Sequence, residues 1–363
     1  MFWKSFLVFF AKILFLCVAK AYLVCRSLLL DTATPILSLY QVALRLPTRR
    51  KTINILYNNI LMSKIALLIG INYFGTTSEL NGCINDVNTM NNYLRQKLSF
   101  RNIIKLTDDS INQKLQPTKN NILNKLNEIV NNIKQNNINE FFIFYSGHGS
   151  YTTDLNGDER DGRDEVLIPV DYMNGNIITD DDINDILKKI PEKCKVFGLF
   201  DCCNSGTIMD LKYLFKANKK NIIENKLNTL SNKKNIIMIS GCKDDQTSAD
   251  FFDKNRGQYG GALTTAFIYG CNKLKNKNIR FSHLLYIMRS YLKRGRFTQI
   301  PQISSNKKLN NNSFYIKNGQ IIIQYSPPPK KNTQKRRRFR NRREYIRYVR
   351  RFLYLRYLRR RRR

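Results

Sequence analysis

Runs of consecutive apolar residues alternate, along the middle of the chain, with segments whose apolar residues recur at helical spacing. The apolar runs predict buried strands at 64–70, 103–106, 141–145, 195–200 and 235–241. Helical spacing predicts helices at 84–98, 118–133, 261–274 and 281–292, with a further helix leading into the 195–200 strand. This alternation predicts an α/β fold in which a mainly parallel central sheet carries helices on both faces.

The two ends of the chain differ in composition from its middle. Residues 1–61 form a hydrophobic, basic leader, residues 62–324 a domain with enough chain for a sizeable core, and residues 325–363 an arginine-rich tail. Within the domain, residues 211–234 are basic and weakly patterned, which indicates a surface linker. The formal net charge is +35, and residues 330–363 hold 18 Lys and Arg against one Glu, so nearly half of that charge belongs to the tail.

The leader leaves three interpretations open. Its apolar run at 2–30 is long enough to span a bilayer as an anchor. Lys12 and Lys20 would each cost about 2.5–3.5 kcal/mol at the centre of a spanning helix, so a helix lying in the membrane interface is the second interpretation. The third is that translation starts at Met62, directly before the first strand. The predicted location is cytoplasmic, or membrane-associated through residues 2–30.

Chemistry-bearing residues follow two of the predicted strands. His148 lies just past the 141–145 strand, and Cys203 lies just past the 195–200 strand. Open α/β sheets hold their ligands at the carboxyl ends of strands. A thiol and an imidazole held on such rigid elements meet the requirements of a cysteine nucleophile with a histidine base. The only other histidine, His283, lies in an amphipathic helical pattern, which favours a structural role.

The eight cysteines form neither a metal-binding pattern nor a disulfide framework. None belongs to a CxxC pair, and Cys202 and Cys203 are adjacent. This usage favours a reducing compartment.

Seven short motifs resemble, in family order, those of the metacaspases, which belong to the caspase-like clan of cysteine peptidases. They are KIALLIGINYF, LNGCINDV, FYSGHGS, DGRDEVLIPVD, ITDDDI, LFDCCNSGT and ISGCKDDQTSAD, the last followed by GALTTAF. Each motif is modest in specificity, but seven in order over about 64–303 are strong. The resemblance implies a caspase-like three-layer fold of the short-linker type, a monomer, and peptide-bond hydrolysis through a thioester.

The resemblance also assigns the catalytic residues. His148 matches the catalytic histidine and Cys203 the nucleophile of the pattern Asp-x-Cys-x-Ser-Gly, whereas Cys202 occupies a position that is commonly serine. The family usually has histidine directly after the nucleophile, where this chain has Asn204. We expect His148 to act as base and then as acid, and the backbone N–H groups of Gly149 and Cys203 to stabilise the oxyanion. No residue stands out as a third member that orients the histidine.

Two acidic residues are expected to select the substrate. Asp201 lies two residues before the nucleophile, and Asp86 lies in GCINDV. The resemblance places them, with Cys83 and Ser146, in the lining of a pocket for Arg or Lys. Paired carboxylates favour a guanidinium and disfavour an acidic side chain, so cleavage after Arg or Lys, and not after Asp, is predicted. Asp86 has an alternative role as a helix-start acid that stabilises the helix dipole.

An activating calcium ion (Ca²⁺) is a further implication of the resemblance. Asp164, Asp180, Asp181 and Asp210 align with acidic residues that bind calcium in many metacaspases, and hard oxygen ligands suit that ion. Asp180 and Asp181 have an alternative role as helix-cap residues. The acidic segment DLNGDERDGRDE lacks the spacing of an EF-hand loop.

The tail mixes Arg with Tyr, Phe and Leu, a composition that suits nucleic acid or an anionic membrane as partner of residues 330–363. The alternatives are a tail cut by the enzyme itself and a solvated tail without function. The leading prediction is a calcium-stimulated, self-processing cysteine endopeptidase whose partners are proteins with Arg or Lys before the scissile bond. The competing prediction is a catalytically retired caspase-like scaffold that acts through its tail, against which the presence of both His148 and Cys203 argues.

Overall fold

The computed structural model describes the middle of the chain. The described residues are 64–154, 157, 162–203, 206–215, 222–225, 230–241, 250–253, 257–274, 281–309, 314–317 and 320–323. The predictions for the leader, the tail and Asn204 fall outside these residues. Among the helices described, none is long and apolar enough to cross a membrane.

Strands and helices alternate through most of the described chain. The strands are β1 (Lys64–Gly70), β2 (Asn102–Thr107), β3 (Glu140–Ser146), β4 (Gly149–Thr153), β5 (Arg163–Leu167), β6 (Ile178–Thr179), β7 (Lys195–Asp201), β8 (Tyr213–Phe215), β9 (Ile222–Glu224), β10 (Asn235–Ser240), β11 (Asp250–Asp253), β12 (Gln258–Gly261), β13 (Gln302–Ser305), β14 (Phe314–Lys317) and β15 (Gln320–Ile323). The helices are α1 (Cys83–Lys97), α2 (Lys119–Gln135), α3 (Asp180–Lys189), α4 (Ala262–Lys273) and α5 (Phe281–Arg294). All the strands and helices predicted above are present.

Eight of the described strands form the central sheet, in the order β2-β1-β3-β7-β10-β13-β8-β9. The five strands from β2 to β10 are parallel to one another. Strands β13, β8 and β9 continue the sheet in antiparallel pairs at one edge. The predicted α/β fold with a mainly parallel sheet is therefore confirmed.

Side chains alternate between two hydrophobic cores, one on each face of the sheet. In β1, Ile65, Leu67 and Ile69 belong to one core, and Ala66 and Leu68 belong to the other. The first core includes the apolar sides of α2 and α3, and the second includes those of α1, α4 and α5. Helices therefore cover both faces in a three-layer arrangement. Because both faces are buried, the central strands are continuous apolar runs in the sequence.

Side chains accept hydrogen bonds from the first backbone N–H groups of two helices, α1 and α3. Oδ1 of Asn72, just past β1, accepts the N–H of Cys83 at 3.0 Å and that of Ile84 at 3.3 Å. At the start of α3, Thr179 and Asp182 form a capping box. The first N–H groups of a helix have no partner within it, so these bonds fix both helix starts and tie α1 to the end of β1.

Several regions contain strands that the sequence pattern did not predict, among them β11 to β15 after residue 249. The segment 211–234, predicted as a surface linker, contains β8 and β9, which extend the antiparallel edge of the central sheet. The acidic segment after His148 contains β5, which forms a separate three-stranded sheet with β4 and β6. These unpredicted strands are all two to five residues long, which is too short for a periodic pattern to reveal them.

Candidate active site

The carboxyl ends of three neighbouring parallel strands lie side by side. Gly70 of β1 pairs with Ser146 of β3, which in turn pairs with Asp201 of β7. The loops that follow β3 and β7 carry His148 and Cys203. The two predicted catalytic residues therefore leave the sheet at the same edge, which is where parallel α/β sheets keep their chemistry.

The loop that carries His148, here called the histidine loop, contacts the loop that carries Cys203, the cysteine loop, at Gly149. A methyl group built on Gly149 would lie 2.3 Å from the carbonyl oxygen of Cys203 and 3.2 Å from Sγ of Cys202. Any side chain here would collide with backbone, so glycine is required for the two loops to approach this closely. The structure thereby places His148 and Cys203 in adjoining loops.

Cys203 is the most accessible thiol of the described region. It is half-buried, whereas the other cysteines described, Cys83, Cys194, Cys202 and Cys271, are buried, and all five are free of disulfides. Burial raises the pKa of Cys194 and of Cys271 to about 12, which keeps both thiols protonated near neutral pH. A cysteine nucleophile has to meet its substrate as a thiolate, so of these residues Cys203 is the one placed to react.

The imidazole of His148 is held in a defined orientation. Its Nε2 lies 2.8 Å from the carbonyl oxygen of Ser78. A carbonyl oxygen only accepts hydrogen bonds, so Nε2 carries a proton, and in the neutral imidazole the lone pair that a base requires is then on Nδ1. Ser78 is thus an orienting partner that the sequence did not indicate, because a main-chain atom leaves no side-chain signal. The other histidine, His283, is exposed on α5.

Three of the four predicted pocket residues surround the start of α4. Oγ of Ser146 donates to Oδ2 of Asp86 at 2.9 Å. The N–H of Gly261 lies 3.0 and 2.8 Å from the two oxygens of Asp86. Thr264 donates its N–H and its hydroxyl to Oδ2 of Asp201, each at 2.8 Å. The start of α4 thus brings two predicted specificity residues together, and neither Gly261 nor Thr264 was a predicted site residue.

Gly261 lies between the two carboxylates. A methyl group built on it would lie 2.2 Å from Oδ2 of Asp201 and 2.6 Å from Oδ2 of Asp86, so the two oxygens are within about 5 Å of each other. Both aspartates are 2% exposed, and Cys83, the fourth pocket residue, is buried one turn before Asp86 on α1. In this conformation the two carboxylates cap α4. Asp86 also lies in the first turn of α1, where its charge favours the helix dipole.

The acidic residues predicted to bind calcium lie on α3 and on segments that contact it: Asp164, Asp180, Asp181 and Asp210. Oδ2 of Asp180 accepts the N–H of Glu165 on β5 at 3.0 Å. Asp210 is tied to α3 by Asn184, whose Nδ2 lies 3.1 Å from Oδ2 of Asp210. The helix therefore links β5 to the segment that follows the cysteine loop.

Carboxyl groups repel one another at the start of α3. Burial raises the pKa of Asp180 to about 9, and the hydrogen bond and the charge of Glu165 add to the increase. Oxygen donors are the ligands that calcium prefers, and a divalent cation would relieve this repulsion. Within the described ranges, no three acidic, histidine or cysteine side chains converge as a metal site. The donor chemistry fits calcium, and the ligand set is not assembled in this conformation.

Comparison with known proteins finds similarity to the metacaspases. A family model described as "Metacaspase, peptidase C14 domain" matches residues 64–212. Metacaspase-1 of Meyerozyma guilliermondii is 34% identical over 294 residues, which are 67% of this chain and 69% of that protein. Metacaspase-1 of Debaryomyces hansenii is 35% identical over 297 residues, 68% of this chain and 66% of that protein. Metacaspase-1 of Botryotinia fuckeliana is 35% identical over 307 residues, 72% of each chain.

The match to the family model runs from β1 to just past the cysteine loop. It therefore includes His148, Cys203 and both buried aspartates of the predicted pocket, whereas Gly261 and Thr264 lie beyond it. The alignments with the three fungal proteins cover two thirds or more of this chain at about one third identity. On this similarity the chain belongs to the metacaspases, and it is a cysteine-type endopeptidase.

Proposed function

We propose that this metacaspase cleaves peptide bonds after Arg or Lys, with Cys203 as the nucleophile and His148 as its base. The observation that carries the proposal is the contact of the two loops at Gly149, next to a histidine whose Nε2 is bound to the carbonyl oxygen of Ser78. That bond leaves Nδ1 of the imidazole to take the thiol proton. The half-buried position of Cys203 leaves the sulfur within reach of a substrate.

The proposed reaction has two halves. His148 takes the thiol proton, and the thiolate attacks the carbonyl carbon, while the N–H groups of Gly149 and Cys203 stabilise the oxyanion. The amine leaves with the proton from the imidazolium, and the acyl group remains on the sulfur as a thioester. His148 then takes a proton from water, and the hydroxide attacks the thioester carbonyl carbon. The C–S bond breaks to release the acid, and the imidazolium returns its proton to the sulfur to restore the thiol.

The two buried aspartates support the preference for a basic residue before the scissile bond. Asp86 and Asp201 place two carboxylates within about 5 Å of each other, beside the strand that leads to the nucleophile. A guanidinium or ammonium group would neutralise both, whereas an aspartate side chain would add a third negative charge. Because both carboxylates are bonded to the start of α4, we expect substrate binding to shift the turn at Gly261.

Calcium is proposed as an activating ion at Asp164, Asp180, Asp181 and Asp210. The connection to catalysis runs through β5, which carries Asp164 and pairs with β4 directly after His148. The N–H of Ile168, just past β5, also donates to the carbonyl oxygen of His148 at 3.2 Å. A bound calcium ion would neutralise the carboxyl groups that repel one another at the start of α3. This would stabilise β5 and, through its pairing with β4, the loop that carries His148.

Hydrolysis of matched fluorogenic peptides ending in Arg, Lys or Asp tests the proposal. The full chain should cleave the Arg and Lys peptides, leave the Asp peptide intact, and lose activity when calcium is chelated. Cys203→Ala should be inactive under all conditions. Activity that is indifferent to the chelator would contradict the ion site while leaving the dyad in place.

The pocket requires a separate test with charge-matched variants. Exchanging both Asp86 and Asp201 for Asn should abolish cleavage after Arg. The control exchanges Glu128 and Glu192, which are both exposed, for Gln, and so removes the same charge without touching the pocket. Retained Arg cleavage in the first variant, or equal loss in the control, would rule out the pocket assignment.

The tail carries a second proposal. Residues 330–363 combine 18 Lys and Arg with aromatic residues, which suits the phosphates of nucleic acid or an anionic membrane, and the apolar leader at 2–30 suits a membrane. An arginine-directed peptidase would also cut its own tail, so mass spectrometry should find shortened chains in the wild type and none in Cys203→Ala. Absence of any cleavage, together with salt-sensitive binding to nucleic acid or vesicles that disappears on deletion of 330–363, would favour the scaffold function instead.

A further inference from the structure

Tyr73 contacts both the ring and the backbone of His148. The two ring centroids are 4.7 Å apart, with an interplanar angle of 38°. The hydroxyl of Tyr73 accepts the N–H of His148 at 2.8 Å and donates to the carbonyl oxygen of Ile168 at 2.7 Å. A single side chain therefore holds the catalytic histidine at two points.

Tyr145 also fixes the position of the His148 backbone. Its hydroxyl donates to the carbonyl oxygen of His148 at 2.7 Å and lies 3.2 Å from the hydroxyl of Tyr73. Both hydroxyls press against Gly147, where a built methyl group would lie 2.8 and 2.9 Å from them. Burial raises the pKa of both tyrosines far above the usual value, so both hydroxyls remain protonated donors in the working range of an enzyme.

The backbone at Tyr73 is held in an uncommon conformation. Its φ of +54° lies in the left-handed region, which bulky residues rarely adopt. Asp108, just past β2, accepts the N–H of Asn72 at 3.0 Å and that of Tyr73 at 2.6 Å. The same loop continues to Ser78, whose carbonyl oxygen binds Nε2 of His148. Strained conformations persist where neighbouring contacts over-determine them, which is common at functional sites.

We propose that Tyr73 is a positioning residue that sets the imidazole of His148 against the carbonyl oxygen of Ser78 and so keeps Nδ1 available as the base. The inference rests on the proposed pairing of His148 with Cys203. Asp108 acts indirectly, because it accepts hydrogen bonds from the backbone of the loop that contains both Tyr73 and Ser78. Tyr73 itself takes no part in proton transfer.

The variant Tyr73→Phe in the full chain keeps the ring and removes the hydroxyl. We expect its kcat on an arginine peptide to fall about 10- to 100-fold while KM stays within about twofold, because the histidine is displaced and the substrate pocket is not. Tyr93→Phe is the matched control. Tyr93 is another buried tyrosine, on α1, whose hydroxyl contacts Cys271, so its loss should leave kcat unchanged.

The rate at which iodoacetamide alkylates Cys203 gives a second reading that needs no substrate. It reports how readily the histidine generates the thiolate. For Tyr73→Phe we expect a slower rate than the wild type near neutral pH, and convergence of the two rates above about pH 9.5, where the thiol ionises without a base. A variant that is only less stable would not show this pH dependence.

Unchanged kcat and unchanged alkylation in Tyr73→Phe would overturn the inference, as would an equal loss of kcat in Tyr93→Phe. If Tyr73→Phe does not fold, Asp108→Asn, which keeps the tyrosine and weakens its loop, should lose kcat at constant KM; an unchanged kcat there also overturns it. His148→Ala and Cys203→Ala, measured alongside, distinguish failure of the proposed dyad from failure of the positioning role. Retained activity in these variants refutes the dyad, whereas loss in them without loss in Tyr73→Phe refutes only the positioning role.

Discussion

Alanine in place of Gly149 should force the histidine and cysteine loops apart. The new Cβ would lie 2.3 Å from the carbonyl oxygen of Cys203, whereas real Cβ atoms essentially never come within 3.0 Å of another heavy atom. The obstructing atom belongs to the backbone, so no side-chain rotation relieves the contact. The two loops must separate by roughly 0.7 Å or more, because a packed interior has no void to absorb the methyl group.

A displacement of this size is large for a catalytic pair. Misplacement by about 1 Å can cost about 100-fold in rate, so we expect kcat of Gly149→Ala to fall about 10- to 100-fold. This loss corresponds to about 1.4–2.7 kcal/mol in the activation free energy. KM should change less, because the carboxylates of Asp86 and Asp201 are held by hydrogen bonds to the start of α4.

Steady-state hydrolysis of an arginine peptide, with thermal unfolding measured in parallel, checks this expectation. The control is Gly241→Ala, just past the end of β10, where a built methyl group finds its nearest neighbours at 3.7–3.8 Å and so fits. The control should retain wild-type kcat. A folded Gly149→Ala protein with wild-type kcat would refute the view that the contact of the two loops sets the catalytic geometry.

Two further predictions concern stability and thiol reactivity. Glu140→Gln removes the negative charge 3.1 Å from Nζ of Lys64 in a buried ion pair, so the free energy of unfolding should fall by about 3 kcal/mol. The value of kcat should not change, because both residues begin strands at the edge of the sheet opposite the active site. A loss of kcat in the folded variant would contradict this separation. Limited alkylation at pH 7.5, followed by peptide mapping, should label Cys203 while Cys194 and Cys271 stay unlabelled until the protein unfolds. The reason is that burial raises the pKa of both these thiols to about 12. Labelling of Cys194 or Cys271 before Cys203 would contradict this prediction.

The parts of the fold that the sequence predicted are those with strong local patterns. Strands β1, β3 and β7 are buried on both faces and so appear as apolar runs, and α2 has one apolar face. The alternation of these elements was enough to predict a mainly parallel sheet. Strands β8 and β9 were missed because three residues are too few to show a period. They also depend on a distant strand, since β8 pairs with β13 and β9 pairs with β8.

The candidate site was predictable only where side chains carry the chemistry. His148 and Cys203 each follow an apolar strand, so their meeting at one sheet edge could be expected. The contact of the Ser78 carbonyl oxygen with the imidazole, and the hydrogen bond from the N–H of Gly261 to Asp86, are main-chain interactions that the sequence does not reveal. The role inferred for Tyr73 could not be predicted from the sequence either, because an apolar motif contains many aromatic residues whose only role is to pack in the hydrophobic core.

Covalent labelling with a peptidyl chloromethyl ketone that carries arginine before the reactive carbon tests the central claim most directly. The full chain is treated with calcium present, its mass is measured, and the modified residue is located by peptide mapping. We predict one adduct per chain, on Cys203, whose rate of formation near neutral pH falls sharply in His148→Ala. An adduct on Cys202, or an equal rate in His148→Ala, would contradict the pairing of Cys203 with His148.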